Sequence, residues 1–168
     1  MFKNMKLSAK IYSGFAVIIL FLVVTIALSW TQLSSIGKMI DLVVNDRFPK
    51  TVIANNIIDS INEVARFTRN IIILEKKEDM EKEAANIEKS RKAVAENLDK
   101  LQKTVASDKG KALLRETLVA REPYNVSVNE AIRLALEGKN KEATELLFKE
   151  VRPRQLAYFE DVNNIIKY

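Results

Sequence analysis

The sequence predicts an all-α protein in which an N-terminal transmembrane helix continues into an antiparallel, up-down-up-down four-helix bundle. Three features lead to this fold class. No charged residue occurs between Lys10 and Lys38, apolar residues recur at alternating steps of three and four in four later segments, and only 4 glycines and 3 prolines supply turns. Cysteine and histidine are absent, which excludes disulfides, thiol nucleophiles and imidazole bases, so no metal or cofactor is expected.

The first element is the apolar segment Ile11 to Thr31, IYSGFAVIILFLVVTIALSWT. About 20 apolar residues in a helix cross the ~30 Å hydrocarbon layer of a bilayer. Tyr12 and Trp30 stand near its two ends, where amphipathic rings favour the headgroup region. A cleaved signal peptide is the alternative, because ALS at residues 27–29 resembles a cleavage site. Signal peptides carry apolar runs of only about 7–15 residues, so an uncleaved anchor is favoured.

Three lysines before this segment set its expected orientation. Lys3, Lys6 and Lys10 precede the span, and positive residues favour the cytoplasmic side. We therefore expect residues 1–10 in the cytoplasm and residues 32–168 outside. The same lysines account for three of the five excess positive charges, which leaves +2 for the rest of the chain. So small an excess, without a basic run, predicts no nucleic-acid partner.

Helices one and two follow from the apolar spacing. Helix one continues to about Glu75, with an expected kink at Pro49. Its inward residues are predicted to be Ala54, Ile57, Ile61, Val64, Thr68 and Ile71. Helix two begins near Asp79 and has the clearest coiled-coil seam in the chain. Its predicted members are Met80, Ala84, Ile87, Arg91, Val94, Leu98, Leu101 and Val105.

Helices three and four complete the predicted bundle. Helix three follows a cap at Ser107 or Asp108 and ends at Gly138, which suits a left-handed C-cap. Its predicted inward residues are Leu114, Leu118, Arg121, Asn125, Val128, Ile132 and Ala135. Helix four begins near Asn140 and bends or restarts at Pro153, with inward residues Ala143, Leu147, Val151, Arg154, Tyr158, Val162 and Ile165. Short connections make consecutive helices antiparallel, and the uncapped pattern at the C-terminus predicts a longer helix four.

Arginines from all four helices are expected at one level of this bundle. With a rise of ~1.5 Å per residue, Arg66, Arg91, Arg121 and Arg154 lie roughly 15, 20, 24 and 21 Å below its end far from the membrane. Arg69 shares the side of helix one that carries Arg66. Buried cations cost several kcal/mol each unless anions match them, so this level requires negative charge.

Two sources of that negative charge remain open. Glu88, Glu122 and Glu150 could form ordinary interhelical ion pairs. Alternatively, a small carboxylate could bind, because a guanidinium holds carboxylates in a bidentate fork. Pro123 favours the ligand, because it removes a backbone hydrogen bond and is expected to open space beside Tyr124. The candidate ligand-binding residues are Arg66, Arg69, Arg91, Arg121, Tyr124, Asn125, Arg154 and Tyr158.

The lysine-flanked anchor, the Pro49-kinked helix and the motifs RFTRN, REPYN and ALEGKNKEATELLFKEVRPRQLAY together resemble the four-helix-bundle sensor domain of bacterial methyl-accepting chemotaxis proteins. The likeness covers nearly the whole chain. It implies an inner-membrane homodimer, a periplasmic bundle that binds amino acids or organic acids, and a small shift of the last helix that reaches a cytoplasmic signalling domain and its histidine kinase. No second span, linker domain or methylation helices follow in this sequence.

The resemblance also implies roles for particular residues. Arg66 and Arg69 are similar to the first-helix arginines that contact ligand across the dimer interface of aspartate-type receptors. Arg121 and Tyr124 are similar to the Arg-x-x-Tyr of the third helix that grips carboxylates within one subunit. These are two different pockets, and both stay open at this point. The same sensor module also precedes histidine kinases and cyclases.

A second class of function competes with sensing. A membrane-tethered helical module that binds a protein, or only holds a dimer together, would keep its arginines in ion pairs. An enzymatic role is disfavoured, since no acid-base pair stands at seam positions and no phosphate-binding loop is present.

Overall fold

The computed structural model describes residues 6–167, and its contacts divide the chain into two compact units. One unit ends at Arg47, and the other begins at Phe48. Lys3, one of the lysines that predict a cytoplasmic N-terminus, lies outside the described residues. Among residues 6–167 every regular element is a helix, so the predicted all-α class is confirmed.

The first unit consists of helix α1 (Leu7–Leu42) and the π-helical turn π1 (Val43–Arg47). None of the residues of α1 is buried. By length and composition alone, the helix that begins at Leu7 is the one helix among the described residues that is apolar enough to cross a membrane. The segment predicted to span the bilayer lies within it.

The second unit is the four-helix bundle. Its first three helices are α2 (Phe48–Ile73), α3 (Lys77–Thr104) and α4 (Asp108–Leu136). The fourth is built from α5 (Asn140–Leu146), the π-helical turn π2 (Leu147–Val151) and α6 (Arg152–Lys167). Helices α2 and α4 each pack against both α3 and α6. Consecutive helices of the bundle are joined by only three residues, which makes them antiparallel neighbours.

Proline explains both π-helical turns. Each turn ends two residues before a proline, Pro49 for π1 and Pro153 for π2. Proline lacks an N–H, and its ring crowds the carbonyl four residues earlier, which belongs to Asn45 in π1 and to Lys149 in π2. The wider π turn relieves this crowding at the position of the predicted bends. Pro123 behaves differently, because α4 runs through it unbroken.

The predicted ends of α4 are confirmed. The Ser107 hydroxyl accepts a hydrogen bond from the Gly110 amide at 3.1 Å, so Ser107 is the N-cap. At the other end Gly138 has φ of 76°, which is the left-handed conformation expected after the helix.

The left-handed backbone at Gly138 leads to a test of this connection. Gly138→Ala is expected to lower the free energy of unfolding by about 1–2 kcal/mol, because a Cβ is unfavourable in this conformation. Urea unfolding of the bundle measures the change. Gly37→Ala is the matched control, since an added Cβ meets nothing within 4 Å at either glycine. Equal stability of the two variants would contradict a backbone origin of the effect.

The core confirms the inward faces predicted for the first two bundle helices. All six predicted residues of α2 are at most 2% exposed. Six of the eight predicted seam residues of helix two are buried, and the other two, Ala84 and Arg91, are half-buried. These stripes are rich in apolar residues, and few apolar residues one position away could define a different inward face. The sequence therefore determines their register well.

The predicted register of α4 is wrong at Leu118. Leu118 is 39% exposed, whereas Thr117 is fully buried. The buried residues of α4 are Gly110, Leu114, Thr117, Tyr124, Ser127, Val128, Ala131 and Ala135. Arg121, Asn125 and Ile132 are half-buried, and Ile132 packs against the core. Thr117 tolerates burial because its hydroxyl donates to the Leu113 carbonyl at 2.9 Å. Tyr124 contributes a large ring to the core.

Helix α6 shows a related difference. Gln155 is buried beside the half-buried Arg154, although only Arg154 was predicted to face inward. The difference is local to this position, because Tyr158, Val162 and Ile165 farther along α6 are buried as predicted.

Candidate functional site

Two tyrosines lie in the bundle core at the level of the predicted arginine cluster. Tyr124 on α4 and Tyr158 on α6 are each 1% exposed. Their ring centroids are 6.0 Å apart and the ring planes are tilted by 50°, a favourable aromatic arrangement. The pair therefore joins α4 to the last helix of the bundle.

The two hydroxyl groups have different surroundings. The Tyr124 hydroxyl donates to the Ile61 carbonyl at 3.4 Å, which is long for an O–H···O bond. The buried Tyr158 hydroxyl has no hydrogen-bond partner within residues 6–167. Burial raises the pKa of Tyr158 to about 12, although the positive charge of Arg121 acts in the opposite direction. Tyr158 is thus a buried polar group that the described part of the chain does not satisfy.

Arg121 lies near Tyr158 rather than pairing with Tyr124. Its guanidinium is half-buried and makes no hydrogen bond or ion pair among the described residues. Burial raises the pKa of Tyr124 as well, and the cations that oppose this rise are Arg91 and Arg69. The Tyr124 hydroxyl is directed to the Ile61 carbonyl of α2, and the carboxylate grip that the resemblance implies for Arg121 and Tyr124 stays a prediction.

Arg91 and Arg154 are held by acids of their own helices. Arg91 donates to Glu88 at 2.8 Å and, across to α4, to Asn129 at 2.6 Å, while its buried Nε has no partner among the described residues. Arg154 forms an ion pair with Glu150 and also donates to a carbonyl of α4. Glu88 and Glu150 therefore pair with these two arginines, but within single helices and not between helices as expected, and Arg121 has no ion pair among residues 6–167.

The remaining predicted site residues lie farther out. Arg66 is exposed, stands 4.0 Å from a carboxylate oxygen of Glu63 and covers the ring of Phe67 at 4.8 Å. Asn125 is half-buried, one position beside the seam. Beside Pro123 the last helix contacts α4, since Arg154 Nη1 donates to the Pro123 carbonyl at 3.0 Å.

A groove of about 360 Å³ lies between α2 and the last helix of the bundle. We call it the α2–α6 groove, and its lining residues are Arg69, Leu147, Phe148, Val151, Arg152, Gln155, Leu156 and Phe159. Arg69 and Arg152 make no ion pair within residues 6–167, which distinguishes them from Arg91 and Arg154. Their charges are consequently free to meet an anion.

Sequence reasoning missed Arg152 and Gln155. Both lie within three residues of Pro153, near Arg154, which was the residue predicted to face inward. The RPR motif of Arg152, Pro153 and Arg154 was the available signal, because it places a second arginine near the predicted one. Gln155 donates to Asn62 at 3.3 Å and so fixes this part of α6 against α2.

A second groove, of about 350 Å³, lies between α3 and α4. Arg91, Glu88 and Asn129 line it together with small and apolar residues. The charged and amide groups here are bonded to one another. This groove therefore presents a matched ion pair, whereas the α2–α6 groove presents unmatched positive charge.

An apolar N-terminal helix followed by a four-helix bundle with arginine-lined grooves is the construction of helical sensory proteins. The chain belongs to the family of four-helix-bundle sensory modules for signal transduction, whose model matches residues 4–168. A comparison with curated proteins gives no match. The family is a sensory signal-transduction module and not an enzymatic domain.

The unsatisfied hydroxyl in the core leads to a second test. Tyr158→Phe is expected to raise the free energy of unfolding by about 1 kcal/mol, because it removes a buried polar group that has no partner. Tyr158 is protonated in the fold up to a pKa of about 12, above its ordinary value of 10.0. Wild-type stability should therefore fall as pH rises from 10 to 12, and it should fall less in the variant.

Urea unfolding at neutral and alkaline pH measures both effects. Tyr12→Phe, on the exposed surface of α1, is the control and should change neither. A loss of stability in Tyr158→Phe at neutral pH would show that the hydroxyl already has a partner.

Proposed function

We propose that the bundle binds a small carboxylate non-covalently and that this binding is the first step of its signal transduction. The observation that carries the proposal is the pair of unpaired arginines, Arg69 and Arg152, at the α2–α6 groove. Arginine binds carboxylates in a planar, bidentate geometry, and a ligand carboxylate supplies the anion that these side chains lack.

The size and composition of the groove support this site over the tyrosine pair. Its volume of about 360 Å³ lies in the range of ~300–1,000 Å³ that is usual for small-molecule pockets. Both arginines belong to elements that a ligand would join, since Arg69 is on α2 and Arg152 is at the start of α6. Binding there would bias the position of α6 relative to α2.

Arg121 and Tyr158 form a second candidate site. The observation in its favour is a half-buried guanidinium without an ion pair beside a buried hydroxyl without a partner, both among the described residues. A carboxylate would satisfy both groups. The core around Tyr124 and Tyr158 is closely packed, so binding there would require a movement of α6.

The wider function that we propose follows the resemblance to chemoreceptors. The N-terminal helix anchors the chain in the bacterial inner membrane with its N-terminus in the cytoplasm and the bundle in the periplasm. The protein acts as a homodimer, and ligand binding is transmitted across the membrane to a cytoplasmic signalling domain and its histidine kinase. The alternative is a tethered interaction or dimerisation module, or the sensor of a histidine kinase or cyclase, without a direct small-molecule ligand.

Ligand-induced stabilisation tests the proposal. A panel of organic acids and amino acids is expected to contain at least one that stabilises the full chain by about 2.7 kcal/mol at a hundredfold excess over its dissociation constant. Thermal unfolding measures this effect. The primary amide of the same acid is the matched control, because it keeps the shape of the ligand and removes its charge. Equal stabilisation by acid and amide, or none by any acid, would contradict the proposal.

One variant separates the two candidate sites. If the α2–α6 groove binds the acid, Arg121→Ala leaves the stabilisation intact. If Arg121 and Tyr158 bind it, Arg121→Ala abolishes the stabilisation and Arg69→Gln does not.

A further inference from the structure

We infer that the α2–α6 groove selects monocarboxylates with an apolar body, such as unbranched aliphatic or arylalkanoic acids, over acids that are polar throughout. The inference rests on the proposed function, because it names the class of carboxylate that the same groove takes. It follows from what the groove offers besides its two arginines.

The floor and rim of the groove are apolar. Leu147 and Val151 of π2 are buried, and Phe159 is half-buried. Phe148 and Leu156 are each 58% exposed. Covering such side chains removes apolar surface from water, which favours binding. Five of the eight lining residues can therefore contact an apolar ligand body.

Few polar partners remain for the rest of a ligand. The only lining residues with polar side chains are Arg69, Arg152 and Gln155. The Gln155 amide nitrogen already donates to Asn62 at 3.3 Å. A ligand hydroxyl or ammonium placed along the apolar wall would lose its water without gaining a partner, which is unfavourable. The two guanidinium groups thus bind the carboxylate, and the apolar lining of the groove favours a ligand with a hydrocarbon chain or ring.

A dicarboxylate is the main competitor. Bound to Arg69 and Arg152 together, it would match both charges but would leave the exposed rings and Leu156 in water. A monocarboxylate instead places its charge at the arginines and its chain on Leu156 and Phe159. Burial of each methylene group favours binding by a factor of about four, so two or three buried methylene groups outweigh the second charge at this partly exposed site.

A homologous series tests the inference. Propionate, butyrate, pentanoate and hexanoate are titrated into the full chain in lipid nanodiscs by calorimetry, with succinate as the dicarboxylate. Affinity is expected to rise about fourfold for each added methylene group until the groove is filled, and hexanoate is expected to bind more tightly than succinate.

Two pairs of variants assign the effect to the groove. Leu156→Ser should reduce the dependence of affinity on chain length while leaving the affinity for propionate unchanged. Its control is Leu118→Ser, at an exposed leucine of α4, which should change neither the chain-length dependence nor the affinity for propionate. Arg152→Gln should weaken every member of the series about threefold to fivefold, as expected for the loss of a charge pair at a partly exposed site. Arg115→Gln, an exposed arginine of α4, is its control.

The outcomes separate this inference from the proposed function. Succinate binding with a flat or falling monocarboxylate series overturns the inference and leaves carboxylate sensing in place. Failure of every acid overturns both. If no acid binds and Leu156→Ser converts dimers into monomers, the groove is a contact between copies of the chain, and the inference is wrong. If the affinities along the series are the same in Arg152→Gln as in the wild type, the acids are partitioning into lipid. That result also contradicts the inference.

Discussion

Tyr124→Ala is expected to lower the free energy of unfolding of the bundle by about 3–5 kcal/mol, the range for removal of a large aromatic side chain from a packed core. Tyr124 is 1% exposed, its ring packs on Tyr158, and its hydroxyl reaches the Ile61 carbonyl of α2. The substitution therefore removes contacts among three helices at once. Since this is a large part of the stability of a domain, the variant should unfold at markedly lower urea concentration.

The neighbouring residue provides the control for this expectation. Asn125→Ala should change the free energy of unfolding by no more than about 0.5 kcal/mol, because Asn125 lies beside the seam and not in it. Equilibrium urea unfolding, followed by circular dichroism, compares the two variants directly. The reverse order would support the register predicted from the sequence and contradict the observed one.

The second large effect concerns ligand affinity. Arg69→Gln combined with Arg152→Gln is expected to weaken binding of the carboxylate about tenfold, since each charge pair at this partly exposed site contributes up to about 1 kcal/mol. The fold should be unaffected, because neither arginine has an ion pair among residues 6–167 that the substitution could break. Calorimetric titration gives the affinity, and urea unfolding gives the stability.

Arg91→Gln is the informative comparison for the double variant. It breaks the ion pair with Glu88 and the bond to Asn129 that joins α3 to α4. We therefore expect lower stability with unchanged affinity, the opposite of the result for the double variant. Affinity that survives in the double variant would contradict the assignment of the α2–α6 groove.

The helical periodicity of the sequence was sufficient to predict the bundle, but the polar residues within it left the register uncertain. The stripe of α2 is strongly apolar, so each of the six residues predicted to face inward is buried. In α4 two sets of residues, each spaced by alternating steps of three and four positions, fit the apolar pattern almost equally well. Leu118 favoured one of them, while burial of Thr117 and Tyr124 selects the other. Thr117 satisfies its hydroxyl locally, which no hydrophobicity pattern reveals.

The candidate site was likewise predictable from the sequence only in part. The common level of the arginines is supported by the influence of Arg91 and Arg69 on the Tyr124 pKa and of Arg121 on the Tyr158 pKa. Which arginines are paired depends on side-chain placement, and sequence spacing alone does not determine that. Arg152 was missed because it is exposed and lies beside the predicted inward stripe of the last helix.

The most direct test of the central claim, that unpaired arginines of the bundle bind a carboxylate, is a crystal structure with a brominated monocarboxylate such as bromobutyrate. The anomalous signal of bromine locates the ligand independently of side-chain placement. The account predicts a bromine peak on the apolar wall of the α2–α6 groove near Leu156, with the carboxylate at Arg69 and Arg152. A peak in the groove between α3 and α4, or saturated crystals without a peak in the α2–α6 groove, would contradict it.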